Sequence, residues 1–101
     1  MSDATLREDR PVTLPPWVRM RFDRIRDRWV LLAPERVLFP CATSVEILER
    51  LPSTPTLGAL IDALAAEYEA PREAIATDVR AMLGDLAAQG FLSQPEEPAD
   101  V

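Results

Sequence analysis

Histidine and lysine are both missing from this chain of 101 residues, and cysteine occurs once, at Cys41. Without histidine, the commonest general base and metal ligand is gone. A lone cysteine forms no internal disulfide, and without histidine it forms neither a Cys–His nucleophilic pair nor a thiolate zinc site. Glycine is scarce, and Gly58, Gly84 and Gly90 stand apart, so no glycine-rich loop is available to cradle phosphates. No apolar run nears the ~18 residues of a membrane span, and no basic start followed by an apolar stretch marks a secretory signal. These absences indicate a cytoplasmic protein with no catalytic machinery, metal or cofactor of its own. The carboxylate pairs Glu46 with Glu49 and Glu67 with Glu69 read as solvated helix faces, not acid–base pairs. Cys41 stands between a strand and a helix and reads as a small buried apolar residue.

What is present is enough for one folded domain. Hydrophobic residues make up 48% of the chain, and a chain this long buries roughly two-thirds of its unfolded surface. The net charge of -6 is unevenly spread. Residues 17–36 hold six arginines against three acids; beyond Arg36 stand three arginines against eleven acids. A basic front and an acidic rear make a dipole able to orient partners.

Residues 1–16 are polar and end in paired prolines, so they read as a flexible N-terminal arm. Residues 93–101 are acidic and proline-broken and read as a disordered tail. The domain is expected over 17–92. Trp17 to Asp23 alternates, with Val18, Met20 and Phe22 on one face and Arg19 and Arg21 on the other. Arg28 to Ala33 is a second strand rich in β-formers. Pro34 opens a tight turn, and Val37 to Phe39 is a short third strand ended by Pro40. The period then changes to that of helices. Thr43 and Glu46 form a capping box for a helix with Val45, Leu48 and Leu51 inward and Pro52 at its end. Thr56 caps a second helix whose stripe is Leu57, Leu60, Ile61, Leu64, Ala65 and Tyr68. Pro71 opens a third, with Ile75, Val79, Met82, Leu83 and Leu86 as its stripe and Gly90 as a left-handed stop. The expectation is an α+β fold, a three-stranded antiparallel meander followed by three helices, winged-helix-like in arrangement.

A winged-helix outline invites a nucleic-acid reading. A helix that reads DNA is basic, because phosphate neutralisation supplies much of the affinity. Here the third helix holds Arg72 and Arg80 against Glu73, Asp78 and Asp85, so binding to a duplex is disfavoured. The arginines gather instead on the first two strands. A regulatory nucleic-acid binder and a purely structural subunit stand as readings of the fold.

The run Arg19-Met20-Arg21-Phe22-Asp23, then Arg26, then Trp29 to Leu38 with Leu-Leu-Ala-Pro-Glu-Arg at 31–36, resembles the PqqD family. Asp78-Val79, Met82-Leu83, Leu86 and Gly90-Phe91-Leu92 resemble that family's last helix and its ending. The resemblance covers about residues 15–92. Leu51-Pro52-Ser53 stands where members usually carry Asp-Gly. The resemblance implies a peptide chaperone of pyrroloquinoline quinone biosynthesis, of the kind that recurs as the leader-peptide recognition element of other ribosomal-peptide systems. Such a protein binds the precursor PqqA and presents it to the radical S-adenosylmethionine enzyme PqqE, which joins a glutamate to a tyrosine. The leader adds as a strand to the third strand and lies against the third helix.

The residues suit that mode. An edge strand exposes unpaired N–H and C=O groups, and strand addition takes affinity from the main chain and specificity from pockets. The expected peptide-binding residues are Arg36, Val37, Leu38 and Phe39 on the edge, and Ile75, Asp78, Val79, Met82 and Leu83 on the helix. Arg36, Phe39 and Met82 are the favoured contacts; Ile75 and Val79 serve equally as core. Arg36 or Arg80 is placed to hold acidic peptide residues. Trp29 reads as core, Trp17 as core or partner surface. An exposed edge also makes a homodimer an expectation.

Overall fold

The computed structural model describes residues 6–94. Three strands, β1 (Arg19–Asp23), β2 (Arg28–Ala33) and β3 (Arg36–Leu38), precede helices α1 (Ala42–Arg50), α2 (Leu57–Tyr68) and α3 (Arg72–Ala88). The sheet is antiparallel in the order β1-β2-β3, which leaves one side of β3 open. This is the α+β, winged-helix-like arrangement that the change of period foretells.

Local chemistry accounts for the turns. The Asp23 carboxylate accepts from the backbone N–H groups of Ile25 and Arg26 at 3.0 and 3.2 Å, and Asp27 takes the left-handed conformation that asparagine and aspartate tolerate. Those bonds and the Arg26 guanidinium hold the Asp23 carboxyl below the usual carboxylate range. Pro34 and Glu35 form a two-residue link that closes Ala33 against Arg36. Neither has positive φ.

The core lies between the sheet and the helices. Met20, Leu31 and Leu38 pair across the three strands and face inward against Leu48, Leu60, Ile61, Leu64, Leu83 and Phe91. Thr56 caps α2, its Oγ1 accepting from the Ala59 N–H at 3.1 Å. Gly90 ends α3 with φ 90°, and the Phe91 N–H then donates to the Leu86 carbonyl at 2.9 Å, which folds Phe91 and Leu92 into the core.

Four expectations change. The capping box fails because α1 begins earlier: Cys41 is its N-cap and already accepts from the Val45 N–H, so Thr43 has helical geometry and cannot cap. Glu46 pairs with Arg50 instead. Cys41 is exposed, not buried. After Arg50 the chain tightens into a 3-10 turn, Leu51–Ser53, in place of a clean stop at Pro52, and Ile47 joins the core with Val45 and Leu48. Trp29 is half-buried, meeting Phe22 edge to face at 5.7 Å, while Trp17 is exposed.

The first segment is also more integrated than its polarity implies. Leu6 and Val12 are core residues. Thr13 and Ser93 exchange backbone hydrogen bonds of 2.8 and 2.9 Å. The carbonyls of Arg10 and Glu8 accept from the Leu57 and Gly58 N–H groups, two donors that the start of α2 otherwise leaves unpaired. A side chain at Gly58 would bring its Cβ to 3.1 Å from the Glu8 carbonyl oxygen, so glycine is what lets the strap approach. Residues 1–5 and most of the expected acidic tail, 95–101, lie outside the described residues.

Candidate peptide-binding site

The hairpin register decides what the open edge offers. A two-residue link makes Ala33 and Arg36 a hydrogen-bonded pair, and antiparallel pairs alternate in kind. Leu31 with Leu38 is then also hydrogen-bonded, while Leu32 with Val37 is not. The N–H and C=O of Val37 therefore turn to the free side of β3, and the Leu38 N–H turns inward to Leu31. The side chains divide by the same alternation. Leu38 packs against the core, whereas Val37 and Phe39 emerge on the far face of the sheet.

Two clefts lie along α3. One, of about 360 Å³, lies between Trp17, the turn Ala33 to Arg36, and Gln89 and Gly90. The other, of about 270 Å³, is bounded by Cys41, Thr43, Ser44 and Ile47 of α1, by Leu64 and Tyr68 of α2, and by Ile75, Asp78, Val79 and Met82 of α3. Arg36 is thus near the end of α3 and Cys41 near its middle, so the course from β3 to Cys41 runs antiparallel to the helix from one cleft to the other. Most of the lining of the second cleft is apolar; among the described residues Asp78 is the only ionised side chain in it.

The expected residues fall into three groups. Ile75, Asp78, Val79 and Met82 meet in one cleft; Arg36 lines the other, and the Val37 main chain faces the open edge. Leu83 is fully buried beneath α3, because it lies on the stripe that meets the core. The Phe39 side chain enters neither cleft and lies under Arg28, whose guanidinium carbon is 4.5 Å from the ring centre. Arg80 is not free for a peptide carboxylate: it donates to Glu8 and to the Leu6 carbonyl, both at 3.0 Å. Arg72 is likewise held by Glu8 and Asp62. With both of its arginines turned to carboxylates, α3 offers a nucleic acid even less positive charge than its sequence does.

Sequence reasoning overlooked Cys41, Ser44 and Tyr68 as lining groups. Cys41 Sγ lies 3.4 Å from Ser44 Oγ, and the hydroxyl together with first-turn N–H groups pulls the thiol below its ordinary pKa. The neighbouring Glu46 carboxylate pushes the Tyr68 phenol up. The reading of Cys41 as a small buried apolar residue hid its place as the exposed N-cap of α1.

A small α+β module with an open strand edge beside an apolar cleft carries the two features that edge-and-groove binding domains use. The chain belongs to the PqqD family: residues 28–92 match the family described as Coenzyme PQQ synthesis protein D (PqqD). It is 53% identical over 90 residues to a "PqqA binding protein" of Rhodopseudomonas palustris strain ATCC BAA-98 / CGA009, covering 89% of this chain and 87% of that one. It is 51% identical over 88 residues to a protein of the same name from Bradyrhizobium diazoefficiens, covering 87% and 84%. The solution structure of the PqqD truncation of Methylobacterium extorquens PqqCD, described as a stand-alone recognition element for ribosomally synthesized and post-translationally modified peptides, superposes with a TM-score of 0.71. It is 31% identical, with 89% of this chain and 96% of that one covered. Among the described residues no helix is long and apolar enough to cross a membrane.

Proposed function

We propose that this protein is a cytoplasmic, non-catalytic adaptor that binds the precursor peptide PqqA by strand addition to β3 and presents it to the radical S-adenosylmethionine enzyme PqqE. The observation that carries the reading is the open β3 edge at Val37 together with the apolar cleft that Ile75, Asp78, Val79 and Met82 line. The names of its relatives support PqqA as the ligand. An added strand takes its main-chain bonds from Val37 and sends alternate side chains toward α3, where Met82 adapts to their shape. Asp78 favours a donor or a cation at the deepest peptide position.

Titration of labelled protein with PqqA is expected to shift amides of residues 36–40 and 75–86, and to slow alkylation of Cys41, which stands exposed at the cleft. A scrambled peptide is expected to do neither. Unmoved amides and unprotected Cys41 at saturating PqqA would overturn the site. Adding PqqE to the PqqA complex is expected to form a ternary species by size-exclusion chromatography; a PqqE that displaces PqqA would overturn presentation.

A further inference from the structure

The far face of the sheet holds a second apolar surface that the peptide site does not use. Arg19, Arg21 and Asp23 of β1, Arg28, Val30 and Leu32 of β2, and Val37 share this face by register. Of these, Arg21, Asp23, Val30, Leu32 and Val37 line a cleft of about 600 Å³ together with the β1–β2 turn and Phe39. Val30 is buried here without belonging to the main core. Its cover is Phe39 and arginine stems, with the Arg28 and Arg26 guanidinium carbons 4.5 and 5.9 Å from the Phe39 ring centre. The most exposed apolar side chains here are Ile25, 93% exposed, and Val37, 59%.

The charge on this face opposes that of the molecule. Between Arg19 and Arg28 there are five arginines against two aspartates, in a chain of net charge -6. Arg26 is paired with Asp23; among the described residues Arg19, Arg21, Arg24 and Arg28 make no ion pair. An acidic partner is therefore attracted to this face and repelled by the rest of the surface, which fixes its orientation. The apolar lining and the overall negative charge favour a protein over a nucleic acid, whose phosphates gain nothing from Ile25 or Val37.

We propose that this face docks an acidic protein segment that sets an apolar side chain against Ile25, Leu32 and Val37. The proposal uses the peptide site in one respect only: a strand added to β3 would widen this face, so that the docked partner and the alternate outward side chains of the peptide lie side by side.

The test is an amide titration with three probes: an acidic peptide with a central Leu-Phe pair, the same peptide with lysine for each acid, and a short oligothymidylate. The acidic peptide is expected to shift amides of residues 21–32, to lose affinity as salt rises, and to bind at least about tenfold more weakly to the Arg21→Glu, Arg28→Glu double variant. The lysine peptide is expected to leave these amides unmoved. An unshifted face at millimolar acidic peptide, equal shifts from both peptides, or preference for the oligothymidylate overturns the proposal. Ile25→Ser, on an exposed turn, is a second variant that keeps the charge, and unchanged binding to it overturns the apolar part. The amides of residues 75–82, read with PqqA, report separately on the peptide site.

Discussion

Replacing Val37 with proline tests strand addition at a single atom. The Val37 N–H has no partner in the ladder, so its loss removes no bond within the sheet. Proline fixes φ within the extended range, and Arg36 before it is already extended in β3, as a residue preceding proline must be. The side chain is mostly exposed, so little burial is lost. Folding stability is expected to change by less than about 1 kcal/mol. Binding should change more. One backbone hydrogen bond is worth about 0.5–1.5 kcal/mol net, and the ring also displaces the incoming strand from the Val37 carbonyl. Losing both bonds costs about 1–3 kcal/mol, or about 5–150-fold in Kd. Leu38→Pro is the contrasting variant. It removes the donor to Leu31 and half-buried contacts, and is expected to cost about 2–4 kcal/mol of stability. Fluorescence anisotropy with labelled PqqA gives Kd, and amide spectra confirm the fold. A folded Val37→Pro protein that binds within about twofold of the parent would refute either the edge site or the register.

Three further outcomes follow from the strap and the helix end. Leu6→Ala, which empties a core position, is expected to cost about 2–3 kcal/mol and to lower Tm in calorimetry, where a flexible arm would show no change. Glu8 sits between Arg72 and Arg80, and its hydrogen bond with Arg72 holds its carboxyl below the usual range. Its contribution is therefore complete above the unfolded glutamate value of about 4.3 and is lost as pH falls through the lower folded value; urea midpoints of Glu8→Gln should differ from the parent at pH 7 and converge with it in acid. Gly90→Ala meets no neighbour within 4 Å, so its cost is the left-handed backbone alone, about 1–2 kcal/mol in a thermal melt.

The helices were legible because their apolar stripes repeat. Leu57, Leu60, Ile61 and Leu64 are all buried, and the stripe ends in Tyr68 only because the last turn of α2 extends past the core to the cleft. Thr56 and Gly90 act where their chemistry places them. The strap was not legible. Leu6 and Val12 lie among polar residues with no period, and what holds them is remote in sequence: the start of α2, Arg72, Arg80 and Ser93. Thr43 misled because a capping box is a local pattern, and the helix already starts two residues earlier, where the Cys41 carbonyl accepts from the Val45 N–H. The site was half legible. Residue spacing put Ile75, Asp78, Val79 and Met82 on one side of α3, but a side chain on a short strand has only two faces, and the alternation of Val37-Leu38-Phe39 does not say which is inner until the pairing is known.

That dependence gives the Pro34-Glu35 link control over the register of β3. A slip of one residue in the β2–β3 hairpin would put Val37 and Phe39 inward, turn Leu38 to the far face, and exchange the outward N–H of Val37 for those of its neighbours. The core resists the slip, because Leu31 and Leu38 must both face the helices for Met20 and Leu83 to close against them. One register therefore sets three things at once: which main-chain groups a peptide meets, which side chains line the basic face, and which residue of β3 seals the core. A longer strand would spread these roles over several residues. Here β3 has three residues, so a change at any of them is read in binding, in docking or in stability, and the alternation of the ladder determines which.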